Sequence, residues 1–167
     1  IFNLMDEEPE IDNGYVTLVN IEKDGDEIKE VNYNTSLWAW KKNNEYIELK
    51  GKIDFENVDF GYEENKQVLF DISLYAKPGQ KIAFVGATGA GKTTILSLLL
   101  KFYDAPRGSI FIDGKDICDI PAADIRSGVG YVAQDGFLFS DTVSNNIAFY
   151  SGKSEDEVKR AAELAEI

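Results

Sequence analysis

Eight consecutive residues, Gly86-Ala87-Thr88-Gly89-Ala90-Gly91-Lys92-Thr93, have the types and spacing needed to hold a polyphosphate. Glycines at 86, 89 and 91 leave room for backbone N–H groups to converge on phosphate oxygens, and they tolerate positive φ. A helix beginning near Lys92 aims its N-terminal dipole at the same anion. Lys92 supplies a mobile charge for the β- and γ-phosphates, and the Thr93 hydroxyl suits a magnesium ion that bridges them. Thr88, Gly89, Ala90, Gly91, Lys92, Thr93 and Thr94 are therefore the candidate nucleotide-binding residues of this loop. The cradle alone chooses neither the base nor the reaction, because kinases, GTPases, helicases and transport motors share it.

Such a loop needs a strand before it and a helix after it. Lys81-Ile82-Ala83-Phe84-Val85 is a short apolar run that predicts a buried parallel strand, and Thr93–Tyr103 predicts a strongly apolar helix. Upstream, Lys52–Phe60 alternates as a half-exposed strand, Gln67–Leu74 reads as a second, and Lys77-Pro78-Gly79 turns the chain. Gly108–Ile112 reads as a further strand before a turn at Asp113-Gly114, and Gly130–Ala133 as another buried strand ending at Gln134. Ser154 and Glu157 stand at the positions of a capping box, so a helix is expected from there to the last residue. Earlier in the chain, Asp24-Gly25 between β-prone runs predicts a hairpin over residues 15–33. Trp38 and Trp40 lie two apart, so a strand puts both rings on one face; packing under their own hairpin is expected of them rather than partner binding.

The 167 residues suffice for one domain with a real core, and the 44% apolar and 28% charged fractions are those of a soluble globular protein. No apolar run approaches the ~20 residues that span a bilayer. A net charge of −13 argues against a nucleic-acid partner, since a phosphate backbone is bound by clustered Lys and Arg. The acidity is uneven: residues 1–49 carry 12 acidic and 4 basic side chains, the composition of a solvated front segment. The one cysteine, Cys118, excludes an internal disulfide, and the absence of histidine removes the commonest general base.

Further stretches resemble the nucleotide-binding domain of an ATP-binding cassette (ABC) transporter of the exporter type. Ile53-Asp54-Phe55-Glu56-Asn57-Val58-Asp59-Phe60-Gly61-Tyr62 is similar to the family's first strand ending in its A-loop aromatic, and Gly130–Val143 is similar to the region around its Q-loop glutamine. The resemblance implies an α/β fold: an incomplete P-loop NTPase core of ABC type, with an antiparallel β subdomain on its N-terminal side and the start of a helical subdomain. It implies that Tyr62 stacks on adenine, that Val68 lies near the ribose, and that Gln134 joins Thr93 around magnesium and helps place the attacking water. It further implies that Phe137, Leu138 and Phe139 face a transmembrane domain. The opening Ile1–Ile11 resembles the join between a last membrane helix and this domain. Residues 1–13 are then linker, 14–50 an inserted hairpin-like segment, and 51–167 the N-terminal part of the nucleotide-binding domain.

The family's signature sequence of LSGGQ type, the apolar strand ending in its Asp-Glu pair beyond that sequence, and its switch histidine are not found in these 167 residues. The expectation is a piece of a longer transport ATPase that binds Mg-ATP, with little or no hydrolysis on its own. The expected partners are the transmembrane domain of the same transporter and a second nucleotide-binding domain, in a homo- or heterodimer. The expected location is the cytoplasmic face of the membrane, the piece itself being soluble. The alternatives are a nucleotide-binding regulatory module that does not hydrolyse, and a P-loop phosphotransferase.

Overall fold

Alternating β-prone residues and tight turns dominate the N-terminal two-thirds, and in the computed structural model they build two antiparallel sheets. The structure describes residues 12–134, 136–149 and 151–167, so the join expected over residues 1–13 lies almost wholly outside the described residues. In chain order the elements are β1 (Thr17–Asp24), β2 (Glu27–Glu30), β3 (Trp38–Lys42), β4 (Glu45–Glu48), β5 (Ile53–Glu63), β6 (Lys66–Ala76), α1 (Lys92–Leu99), β7 (Arg107–Ile112), β8 (Lys115–Asp116), α2 (Ala122–Ser127), α3 (Val143–Ala148) and α4 (Glu155–Leu164). Two compact units result, one ending at Gly130 and one formed by Tyr131–Ile167.

The hairpin expected around residue 25 is half of a four-stranded sheet in the order β2-β1-β3-β4. Asp24 pairs with Glu27, so Gly25 and Asp26 make the turn, with positive φ at Gly25 alone as a type II′ turn requires. This sheet is seated on the rest of its unit. Val16 and Trp40 belong to the same buried cluster as Phe55, Val58, Ile95 and Ile110. Trp40 is fully buried and Trp38 half-buried. The Trp40 indole donates to the Asp113 carboxylate at 3.3 Å, and the backbone N–H groups of Lys50, Gly51 and Lys52 donate to the same carboxylate at 2.9–3.1 Å. One side chain thus fixes the crossing from the first sheet to the second.

In the second sheet the order is β6-β5-β7-β8, all antiparallel. Simple alternation along β5 would put Phe55 and Val58 on opposite faces, yet both are buried. A register shift between them, with Asn57 at φ 48°, inserts the extra residue that turns both inward. The partner strand accommodates this bulge with Gly108, whose φ is 85° and where a Cβ would lie 2.4–2.6 Å from the Asn57 and Glu56 carbonyl groups.

Three expectations need correction. Residues 81–85 are not a buried strand: no strand of the described residues pairs with them, they are exposed, and Val85 is 96% exposed. Residues 130–133 are likewise unpaired and exposed. A parallel strand exists only between neighbours, and an apolar sequence cannot supply them. Third, the helix after the glycine loop ends at Leu99, not Tyr103.

In the second unit, the Ser154 and Glu157 side chains make the expected reciprocal capping box at the start of α4. The Ser154 N–H, then the Lys153 ammonium, hold the Glu157 carboxyl at about 2. Asn146 on α3 accepts from the Phe139 N–H at 2.8 Å and donates back to the Phe139 carbonyl at 3.1 Å, which folds the preceding loop onto its helix.

Asp113→Ala is expected to lower unfolding stability by about 2–3 kcal/mol, because four donors lose one charged acceptor. Asp113→Asn, which keeps an acceptor oxygen and tolerates the φ of 49° at this position, should lose less than half of that. Denaturant unfolding followed by Trp fluorescence reports both.

Candidate functional site

The chain between β6 and α1 folds as a loop whose curvature is set by glycine. Gly89 and Gly91 take φ of 85° and 83°, where side chains are strained. Gly91 is buried under β6, and a Cβ there would stand 2.5 Å from Leu69 Cδ2 and 3.4 Å from Val68 Cγ1. It is also the N-cap of α1, so no side chain caps the first turn of the helix, and no acidic residue occupies that turn. The free N–H groups and the dipole there are set for an anion. Lys92 folds back over the loop, its ammonium donating to the Gly86 and Ala87 carbonyls at 2.8 Å each. Thr93 is exposed at the mouth, whereas Thr94 is buried.

The other end of α1 explains where that helix stops. Lys101 has φ 53°, its N–H donates to Leu98 O at 3.0 Å, and the Phe102 N–H donates to Ser97 O at 2.9 Å. This is a Schellman motif in which lysine takes the place usual for glycine. The left-handed residue costs about 1–2 kcal/mol, which its side chain offsets. The nearly buried Lys101 ammonium donates to Ile120 O at 2.7 Å and to Asp12 at 3.1 Å. Asp12 also accepts from the Ala122 N–H at 2.6 Å, and that bond, with the Lys101 ammonium, keeps its carboxyl below the usual range. Arg126 on α2 completes the clamp: its guanidinium donates to Leu100 O and Lys101 O at 3.0 and 2.7 Å and lies 4.8 Å over the Phe102 ring. None of Asp12, Lys101 or Arg126 is marked by a local motif. Only the run of apolar residues ending in a basic one hints at a helix end.

Tyr62, at the end of β5, is brought to the loop. Its hydroxyl is 3.1 Å from the Thr94 hydroxyl, and its ring is perpendicular to those of Phe60 and Tyr103, with centroids 5.0 and 5.2 Å away. A shallow pocket of about 420 Å³, lined by Asp59, Phe60, Tyr62, Gln67 and Pro106 among others, opens beside it. Val68 is half-buried against Gly91. The first unit therefore collects Tyr62, Val68 and the loop Thr88–Thr94 around one helix N-terminus. Gln134 belongs to the second unit, where it is exposed. Phe137 and Leu138 are strongly exposed in that unit, and Phe137, Phe139 and Phe149 form a chain of ring contacts of 4.9 and 5.6 Å.

A glycine-lined loop at a helix N-terminus defines a phosphate-binding class, and comparison with known proteins narrows it. The family profile described as ABC transporter matches residues 69–167. The chain is 48% identical over 119 residues to ATP-binding cassette sub-family B member 6 of Homo sapiens, covering 71% of this chain and 14% of that protein. It is 43% identical over 122 residues to the Fatty acid ABC transporter ATP-binding/permease protein of Mycobacterium tuberculosis, covering 71% and 19%. Among solved structures it is similar to a bacterial Atm1-family ABC exporter with ATP bound, with a TM-score of 0.67 and 42% identity over 71% of this chain and 21% of that one. The chain belongs to the ABC transporter family and matches the nucleotide-binding region of exporter-type members. It spans between 14% and 21% of the length of the curated relatives it matches. Among the described residues no helix is long and apolar enough to cross a membrane.

Gly91→Ala is expected to cost about 1–3 kcal/mol, since the added methyl meets Leu69 at a φ that alanine avoids. Equilibrium denaturation measures it; unchanged stability would show that the loop does not take this shape.

Proposed function

We propose that this chain is the Mg-ATP-binding part of an exporter, whose hydrolysis of ATP drives a substrate across a membrane. The observation that carries the reading is the loop Gly86–Thr94, with uncapped amides at the start of α1 and a lysine resting on its carbonyl groups. Support also comes from relatives named as an ATP-binding cassette protein and an ABC transporter ATP-binding/permease protein, and from the likeness to an exporter with ATP bound.

In this reading the backbone of Thr88–Thr94 binds the phosphates, and Lys92 exchanges its loop carbonyls for β- and γ-phosphate oxygens. Magnesium, when bound with the nucleotide, screens phosphate charge; Thr93 and Gln134 are the neutral oxygen donors assigned to it. Tyr62 offers its half-exposed ring to the adenine, and Val68 borders the ribose. Gln134 also orients water, a task for an amide that does not titrate. After the glycine loop these 167 residues hold no LSGGQ-type sequence and no apolar strand ending in Asp-Glu, and they hold no histidine; hydrolysis is assigned to the transport ATPase as a whole, acting with a second nucleotide-binding domain. The exposed Phe137 and Leu138 are assigned to contact with the transmembrane domain at the cytoplasmic face of the membrane.

Titration calorimetry with Mg-ATP tests this reading. Wild-type protein is expected to bind, and Lys92→Ala to weaken binding by at least tenfold, about 1.4 kcal/mol or more. Equal affinity in the two proteins, or no binding by the wild type, overturns it.

A further inference from the structure

The three rings beside the glycine loop differ in how they are held. Phe60 is buried in the core, whereas Tyr62 and Tyr103 are each about half exposed, at 50% and 48%. Tyr103 follows the Schellman turn that ends α1, so its backbone is placed by the Lys101 and Arg126 bonds described above. Its ring stands perpendicular to Tyr62 at 5.2 Å and tilted to Phe60 at 5.6 Å. No hydrogen bond engages the Tyr103 hydroxyl among the described contacts, so the ring is the part that interacts with its neighbours.

We propose that Tyr103 is a positioning residue for base recognition: clamped to the end of α1, its ring sets the orientation of Tyr62 against the nucleotide base. This rests on the reading that Tyr62 stacks on the base. A half-exposed tyrosine at a strand end has several rotamers open to it, and a stacking platform binds more tightly when its orientation is fixed beforehand. Tyr62 is restrained by the Phe60 ring, the Tyr103 ring and the Thr94 hydroxyl. Two of these three restraints come from α1 and the turn that ends it. The base platform and the phosphate cradle are thereby referred to one short helix, and Tyr103 transmits the placement of its C-terminal end to the base.

The test measures the Kd of Mg-ATP and of Mg-tripolyphosphate, which lacks base and sugar, in the complete protein that carries this chain. Tyr103→Leu is expected to weaken Mg-ATP about three- to tenfold, the scale of one aromatic pair, and to leave Mg-tripolyphosphate within about twofold. Tyr103→Phe, which retains the ring, is expected to stay within about twofold of wild type for both. If Tyr103→Leu does not fold by circular dichroism, Tyr103→Gln, suited to a half-exposed site, takes its place. Wild-type ATP affinity in the ringless variant overturns the proposal, and so does an equal loss of ATP and tripolyphosphate, which would place the effect in the loop. Tyr62→Leu separates the two levels. If it leaves the preference for ATP over tripolyphosphate unchanged, the stacking reading itself fails. If it abolishes that preference while Tyr103→Leu does not reduce it, only the positioning role fails.

Discussion

The helix α1 starts from a left-handed glycine and ends on a left-handed lysine, and the placement of the site follows from those two residues. Gly91 brings the loop down onto Leu69 and Val68 and leaves the first amides of the helix uncapped. Lys101 closes the last turn, and its ammonium ties the helix to Ile120 and Asp12. An eight-residue helix is too short to be stable by itself. Its direction is therefore imposed by tertiary contacts at both ends, with Ile95 and Leu98 buried between them.

The same constraint reaches the two sheets. Leu69 of β6 covers Gly91, and β6 is held in register by β5, whose bulge at Asn57 turns Phe55 and Val58 toward α1. Asp113, at the end of β7, binds the chain where it leaves the first sheet, so residues 14–50 share the core that supports the loop. Tyr62 then arrives beside Thr94 because β5 extends past the bulge to Glu63.

Much of the site was legible in the sequence because its chemistry is local. Glycine spacing, the adjoining Lys92-Thr93-Thr94 and the Ser154/Glu157 box each act within a few residues, and the resemblance drew attention to Tyr62. The bulge at Asn57 was not legible, since it is settled by a partner strand with glycine at position 108. Lys101 in a C-terminal left-handed position was hidden because glycine is the usual signal there, and its compensating partners Asp12 and Ile120 lie far away in sequence. Residues 81–85 and 130–133 show the opposite failure. Their apolar runs predict strands, but strand identity depends on neighbours, and among the described residues none lies alongside. The Trp40 ring belongs to a core shared by two sheets, which pattern within one hairpin cannot disclose.

We propose the amides from Gly89 to Thr94, at the head of α1, as the phosphate-binding surface. Backbone amide chemical shifts followed through a titration with Mg-ATP test it most directly. The largest shifts are expected on residues 89–94, with Tyr62 and Tyr103 ring resonances moving in the same saturable phase. Saturable shifts confined to other residues, with 89–94 unmoved, would contradict it.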